Sequence, residues 1–257
     1  SIGRFRILFG LGPLSRFVPL SPRSHSAWNT SQSRPSSDRC STADRGGLGT
    51  ALLLYIIVGS GIAAETLGTD PGTRLLAQAI VVGLGLGALI VLFQNVSGSH
   101  FNPSVTLGLW RIGALTGDEA ARYVAVQLAG AVVGVLVANL SASRAIITFS
   151  HNARDGIGPI VPEGIATFVL VLVVLALGRI GRRNTVPMAV GAWVTAIVFA
   201  TPSTGFANPA VTIARVFTDS YTGIAPSSVI GFLAAQLLAG ITAAPVALLL
   251  YPDPIPI

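Results

Sequence analysis

The sequence predicts an all-α membrane protein with six transmembrane helices and two re-entrant half-helices, arranged as two inverted repeats. Three observations predict this fold class: a low content of charged residues, uncharged windows of membrane-spanning length, and a short motif that occurs twice. Of the 257 residues, 51% are hydrophobic and 10% are charged, whereas a soluble domain carries about 25% charged residues. Because so few charges cannot cover a water-facing surface, the chain is predicted to lie in a lipid bilayer.

Uncharged windows mark the predicted spans. Asp, Glu and Arg are absent from windows 46–64, 75–110, 123–143, 164–178, 184–214 and 220–252. A spanning helix needs about 20 apolar residues, so 46–64 and 123–143 hold one helix each. Windows 75–110 and 184–214 are too long for one helix and too short for two. Each of these two is predicted to hold a full span followed by a half-helix.

An Asn-Pro dipeptide lies late in each long window, at Asn102-Pro103 and Asn208-Pro209. Asn is a favoured helix N-cap, and Pro suits the first helical position, so each dipeptide is predicted to start a helix inside the membrane. The irregular backbone before it is tolerated at that depth only where it is buried in protein or lines a water-filled cavity. The pair therefore predicts a pore.

The sequence Asn-Pro-Ser-Val-Thr at 102–106 recurs as Asn-Pro-Ala-Val-Thr at 208–212. We therefore predict a channel domain at 46–257, with repeat one at 46–143 and repeat two at 159–251. Each repeat holds three full spans, an odd number, so the second repeat must enter the membrane inverted. Inverted repeats place a central site near the midplane.

The predicted pore suits neutral solutes that carry hydroxyl groups. Each half-helix N-terminus carries about +0.5 of an elementary charge, which repels cations. The amides of Asn102 and Asn208 offer donors, and acceptors come from the backbone carbonyls of the loops before them. The residues predicted to supply these carbonyls and to anchor the loops are Gly98, Ser99, His100 and Thr204.

The segments Ser97–Ser104 and Thr204–Ala210 resemble the two signature loops of the major intrinsic protein family of aquaporins and aquaglyceroporins. The resemblance covers about residues 46–251. It implies a homotetramer with one pore per subunit, no cofactor and no energy coupling. It also implies a pore constriction formed by Asn102, Pro103, Ser104, Asn208, Pro209 and Ala210.

The chain departs from the family pattern at the filter that selects the solute. The family commonly places Arg directly after the second Asn-Pro-Ala, where this chain has Val211, and water-selective members carry an aromatic residue where Val82 stands. The fifth-span position falls on Ala196, with Thr195 or Ile197 as alternatives. The predicted filter is therefore wide and weakly polar, and it consists of Val82, Ala196, Gly205, Phe206 and Val211.

Such a filter resembles that of bacterial aquaglyceroporins, including a subgroup tied to arsenic handling. We therefore expect passive flux of water, glycerol, urea or neutral metalloid hydroxides such as arsenous acid. Arg215, one helical turn beyond Val211, is interpreted as a solvated residue at the outer surface, with a vestibule charge as the alternative.

Glu163 and Thr167 match a family pattern in which Glu braces a re-entrant loop, and we expect bracing here. The equivalent position in the first half is Gly46, which has no side chain, so the first loop is predicted to be held differently or the native chain to start elsewhere. His100 is interpreted as a loop anchor, since no second ligand lies at metal-binding spacing.

Other function classes find less support. All basic residues are Arg and the net charge is +6, but no segment interleaves them with aromatic residues as nucleic-acid binding would need. No paired-carboxylate site or Cys/His cluster indicates an enzyme. The alternatives left open are a water-selective aquaporin, an ion-coupled secondary transporter that uses Glu163, and a non-conducting structural protein of the same fold.

Residues 1–45 are rich in Arg, Ser and Pro, and are interpreted as a disordered cytoplasmic tail or non-native sequence. Cytoplasmic loops carry an excess of Arg and Lys, and the cluster at Arg179, Arg182 and Arg183 favours cytoplasmic N- and C-termini. The expected location is the plasma membrane.

Overall fold

The chain is described by a computed structural model at residues 42–252, which contain eight α-helices and no strand. Five of these helices are long and apolar enough to cross a membrane by length and composition. The predicted all-α membrane fold is confirmed. The helices are α1 (Thr42–Leu67), α2 (Pro71–Ser97), α3 (Pro103–Arg111), α4 (Gly117–Ser141), α5 (Ile157–Arg179), α6 (Val186–Ala200), α7 (Pro209–Ala214) and α8 (Val229–Leu250).

Two of the predicted boundaries differ from the structure. Helix α1 begins at Thr42, inside the segment 1–45 interpreted as a tail, and the rest of that segment lies outside the described residues. Helix α6 has 15 residues, fewer than the roughly 20 of a full span, and a 3₁₀ turn at Arg183–Thr185 precedes it. Its apolar window continues instead into the irregular loop before α7.

The two half-helices α3 and α7 begin where the Asn-Pro dipeptides predict. Asn102 and Asn208 are extended at φ −152° and −159°, and their side chains accept hydrogen bonds from the backbone N–H groups two residues on. These are N-caps that satisfy helix-start donors which would otherwise be unpaired. The order span, span, half-helix, span occurs at α1–α4 and again at α5–α8.

Glycine lets the spans approach closely, as expected where small residues line helix interfaces. A Cβ on Gly130 or Gly134 of α4 would lie 2.1 Å from a backbone oxygen of α1. A Cβ on Gly83 of α2 would lie 2.6 Å from the Gly191 oxygen of α6, and one on Gly87 would lie 3.2 Å from the Pro187 oxygen. Helices α2 and α6 therefore run antiparallel, side by side.

Candidate functional site

The two Asn-Pro loops are hydrogen-bonded to each other. Asn102 Nδ2 donates to the Ala207 carbonyl at 2.7 Å, and Asn208 Nδ2 donates to the Phe101 carbonyl at 2.7 Å. Phe101 and Ala207 have positive φ values of 43° and 48°, a conformation that is uncommon outside glycine. The half-helices therefore meet with their N-termini facing each other.

A cavity of about 80 Å³ follows α2 and α6. Residues at a spacing of four form its helical walls. Each row extends over 12 residue steps, which correspond to a rise of about 18 Å. These residues are Gln78, Val82, Leu86 and Ile90 of α2, and Val186, Val190, Val194 and Val198 of α6. The cavity therefore runs along most of α6, as a pore would.

Both signature loops border the same cavity. From the first half these residues are Gly98, Ser99, His100, Phe101, Asn102 and Val105, and from the second half Thr204, Gly205, Phe206, Asn208, Val211 and Arg215. The remaining residues predicted for the constriction, Pro103, Ser104, Pro209 and Ala210, are buried in the half-helices instead. Ser104 Oγ donates to the Gln236 carbonyl of α8 at 2.9 Å, which fixes α3 against that helix.

The prediction of Ala196 as a filter residue is wrong. Ala196 is exposed on the outer face of α6, and Val194 and Val198 border the cavity in its place. The alternative Thr195 donates to the Gly191 carbonyl within its own helix at 3.0 Å. Because each helical residue turns by about 100°, an error of one or two positions moves a side chain from the pore to the lipid face.

The other predicted filter residues do border the cavity. Val82 is 4% exposed and Val211 is 2% exposed. With Val194 and Val198 they form an apolar surface that we call the valine wall. No arginine occupies the position directly after the second Asn-Pro-Ala. This wall therefore makes apolar contacts with a solute and supplies no side-chain hydrogen-bond donor.

Arg215 is buried, contrary to its interpretation as a solvated surface residue. It is 3% exposed, its guanidinium carbon lies 3.5 Å from the centroid of the Phe206 ring, and its Nε donates to the Thr222 carbonyl. A guanidinium over an aromatic face gains cation–π attraction. Arg215 also borders the cavity, and the alternative of a vestibule charge stays a prediction.

A second arginine, Arg154, approaches the same ring and was not predicted. It lies in the loop between α4 and α5, 5.1 Å from the Phe206 centroid. Its side chain donates to the carbonyls of Ser203, Tyr221 and Gly223. Arg154 borders a neighbouring open pocket and not the cavity itself, and we call the end of the cavity next to it the Arg154–Arg215 mouth. No motif surrounds Arg154, so the sequence offers no signal for its role.

Glu163 is fully buried and holds the second loop. Its Oε1 accepts from the Phe206 N–H and its Oε2 from the Ala207 N–H, both at 2.8 Å. Gln236 Nε2 also donates to Oε2 at 2.8 Å, and Thr167 Oγ1 donates to the Glu163 carbonyl at 2.7 Å. Glu163 is not among the residues that border the cavity, so its carboxylate is directed to loop N–H groups.

The first loop is held by an aromatic pair where the second has a carboxylate. Thr50 Oγ1 donates to the Gly46 carbonyl at 2.9 Å, which repeats the Thr167 contact without a side chain at Gly46. Tyr123 of α4 donates to the Ser97 carbonyl at 3.0 Å, and its ring stacks on His100 at a centroid distance of 4.6 Å. Tyr123 was not predicted from the sequence.

Tyr123→Phe is expected to destabilise the protein by about 1 kcal/mol, because the Ser97 carbonyl loses one buried hydrogen bond while the ring contact stays. Tyr123→Ala, which also removes the ring, is expected to cost about 3 kcal/mol or more. Thermal unfolding in detergent, followed by tryptophan fluorescence, measures both. Tyr55→Phe is the control, since Tyr55 is 40% exposed on α1. Equal midpoints for all four proteins would contradict this role of Tyr123.

Two half-helices that meet head to head beside a cavity, inside an inverted repeat of spanning helices, define a membrane pore protein. The sequence model of the major intrinsic protein family matches residues 46–207, and the chain belongs to that family. Its members are channels and not enzymes.

Individual relatives agree with this assignment. The chain is 41% identical over 196 residues to aquaglyceroporin AqpS of Rhizobium meliloti, covering 76% of this chain and 84% of that protein. It is 29% identical over 192 residues to a glycerol uptake facilitator protein of Pseudomonas aeruginosa, covering 63% and 68%. The X-ray structure of the aquaglyceroporin from Plasmodium falciparum superimposes with a TM-score of 0.63 at 20% identity, covering 80% of this chain and 94% of that one.

Proposed function

We propose that this protein is a passive channel for small uncharged solutes: water, glycerol, urea and neutral metalloid hydroxides such as arsenous acid. The valine wall is the observation that carries the proposal. Val82 and Val211 border the cavity at the two positions where an aromatic residue and an arginine would give a narrow, polar filter that selects water alone. Relatives named aquaglyceroporin and glycerol uptake facilitator support the same solute class.

The charges around the cavity favour neutral solutes. The N-termini of α3 and α7 direct positive partial charge at the passing solute, and Arg154 and Arg215 add positive charge at one mouth. Each amide of Asn102 and Asn208 has two N–H donors, one of which binds the opposite loop. The second donates to a solute oxygen, while Pro103, Ser104, Pro209 and Ala210 hold the two amides in place.

A passive mechanism fits the placement of Glu163 better than ion coupling does. An ion-coupled transporter needs a carboxylate that binds and releases a proton or cation in the solute path. Both oxygens of Glu163 accept hydrogen bonds from loop N–H groups, and Glu163 does not border the cavity. Its proposed role, with Thr167, is to brace the second loop.

We further propose that the protein is a homotetramer in the plasma membrane, with its N- and C-termini in the cytoplasm. The Arg cluster at the end of α5 and in the turn after it, at Arg179, Arg182 and Arg183, supports this orientation. Cysteine labelling of intact cells at the turn before α6 and at the exposed residue Ala153 tests it, and native mass spectrometry tests the subunit number.

Val211→Arg is expected to lower glycerol and arsenous acid permeability at least about tenfold, because a guanidinium in the valine wall narrows the pore and adds a charged donor. Water permeability is expected to fall less, since water is the smallest of these solutes. Stopped-flow light scattering on proteoliposomes measures the three permeabilities.

Val211→Leu is the matched control, because it adds volume at the same position without a charge. It is expected to reduce glycerol flux less than Val211→Arg does. A native protein that passes water but neither glycerol nor arsenous acid would contradict the wide filter. Saturable flux that depends on a proton or sodium gradient would favour the transporter instead.

A further inference from the structure

Two buried polar atoms at the Arg154–Arg215 mouth have no hydrogen-bond partner. Within the described residues, such unpartnered buried side-chain atoms are Gln78 Oε1, Ser97 Oγ, Gln127 Oε1 and Arg215 Nη2. Only Gln78 and Arg215 of these four residues border the cavity. Each side chain is 3% exposed. One supplies an acceptor and the other a donor, and burial without a partner costs free energy.

Gln78 and Arg215 lie at the same end of the pore. Gln78 precedes Val82 by one helical turn on α2, and Arg215 follows Val211 by one turn beyond α7. Both residues lie near Thr222. Arg215 Nε donates to the Thr222 carbonyl. Gln78 Nε2 and the Thr222 methyl carbon both lie next to Gly61, where an added Cβ would be 3.4 Å from the first and 1.9 Å from the second. The polar pair therefore lies one turn further towards the mouth than Val82 and Val211 do.

Arg215 is fixed in this position. Its guanidinium is held on one face by Phe206 and at Nε by Thr222, and the Phe206 N–H is in turn bound by Glu163. These contacts leave Nη2 as the donor atom without a protein partner. A donor held in place before the solute arrives loses little conformational entropy when it binds.

We propose that Gln78 and Arg215 form a solute-selecting station, which binds neutral polyhydroxy solutes by a paired acceptor and donor. A hydroxyl group both donates and accepts, so two hydroxyls of one solute engage Gln78 Oε1 and Arg215 Nη2 together. A cation is repelled by the guanidinium, and a solute that lacks either a donor or an acceptor satisfies only one partner. This proposal rests on the proposed channel function. It places the hydrogen bonds that select the solute on residues outside the valine wall.

Gln78→Met tests the station, because it keeps the side-chain length and removes the acceptor. We expect glycerol permeability to fall about three- to tenfold, the effect of one hydrogen bond lost, with water permeability within about twofold of the native value. Arg215→Met is expected to lower glycerol permeability similarly. Proteoliposome swelling in glycerol, water flux in the same vesicles, and thermal midpoints are measured for each variant.

Gln127→Met is the matched control. Gln127 is also fully buried with an unpartnered Oε1, but its amide donates to Thr106 Oγ1 and it does not border the cavity. It is expected to leave the glycerol-to-water ratio unchanged. A native-like ratio in Gln78→Met, or an equal change in Gln127→Met, would overturn the station while the channel function stands. Native protein that passes neither water nor glycerol would overturn both.

Discussion

Replacing Glu163 by glutamine is expected to lower the thermal unfolding midpoint and the flux of both water and glycerol. Its two oxygens accept N–H bonds from Phe206 and Ala207, and Gln236 adds a third. An amide has one oxygen and an NH₂ group. At least one of the N–H groups that now bind Glu163 would therefore face the NH₂ group of the glutamine. The expected cost is about 3 kcal/mol.

The flux should fall because the second loop carries pore atoms. The Ala207 carbonyl accepts from Asn102, and the Phe206 ring packs against the Arg215 guanidinium. A shift of the loop would therefore displace both Asn102 and Arg215. We expect water and glycerol permeability each to fall by about tenfold or more. Stopped-flow measurements on proteoliposomes and thermal unfolding in detergent report the two effects.

Glu119→Gln is the control for Glu163→Gln. Glu119 is an exposed carboxylate that completes a capping box with Thr116 at the start of α4. Its replacement is expected to cost about 1 kcal/mol or less and to leave both permeabilities unchanged. A Glu163→Gln protein with native stability, whose flux has lost only a dependence on an ion gradient, would show that Glu163 couples transport.

Gly134→Ala is expected to disrupt the packing of α1 against α4. The added Cβ would lie 2.1 Å from the Ala51 carbonyl oxygen and 2.9 Å from the Leu54 Cβ. Backbone cannot move away as a side chain can, so the helices must separate along their contact. Overpacking typically costs about 1–3 kcal/mol, and the backbone clash places this substitution at or above the upper end.

Gly59→Ala is the matched control on α1, where a Cβ would meet nothing within 4 Å. Alanine favours a helix over glycine by about 1 kcal/mol, so this variant should unfold at the native temperature or slightly above it. Thermal midpoints in detergent and the yield of folded protein compare the two. A Gly134→Ala protein as stable as Gly59→Ala would contradict the close α1–α4 contact.

Much of the fold could be predicted because its determinants are local. Uncharged windows of spanning length reflect the bilayer thickness, and Asn followed by Pro favours a helix start. The repeated Asn-Pro motif therefore predicted two half-helices and an inverted repeat, and α3 and α7 begin at Pro103 and Pro209. The expectation that Glu163 lies beside the second loop came from the family pattern instead, since the Phe206 N–H that it accepts from is 43 residues away.

The site was less predictable where it depends on the rotation of a helix or on contacts distant in sequence. Ala196 was placed on the pore by counting, but the packing of α6 against α2 turns Val194 and Val198 to the cavity instead. Tyr123 lies 26 residues from the Ser97 carbonyl that it binds. Nothing near Tyr123 in the sequence indicates that partner.

The sequence by itself determined the membrane spans and the two half-helices, because hydrophobicity and helix capping act over a few residues. Only the tertiary structure decided where Arg215 and Arg154 lie. A guanidinium leaves water only when an aromatic face and carbonyl acceptors replace its hydration. Phe206, Thr222 and Tyr221 supply these, and they meet the two arginines only when separate loops converge at one mouth of the pore.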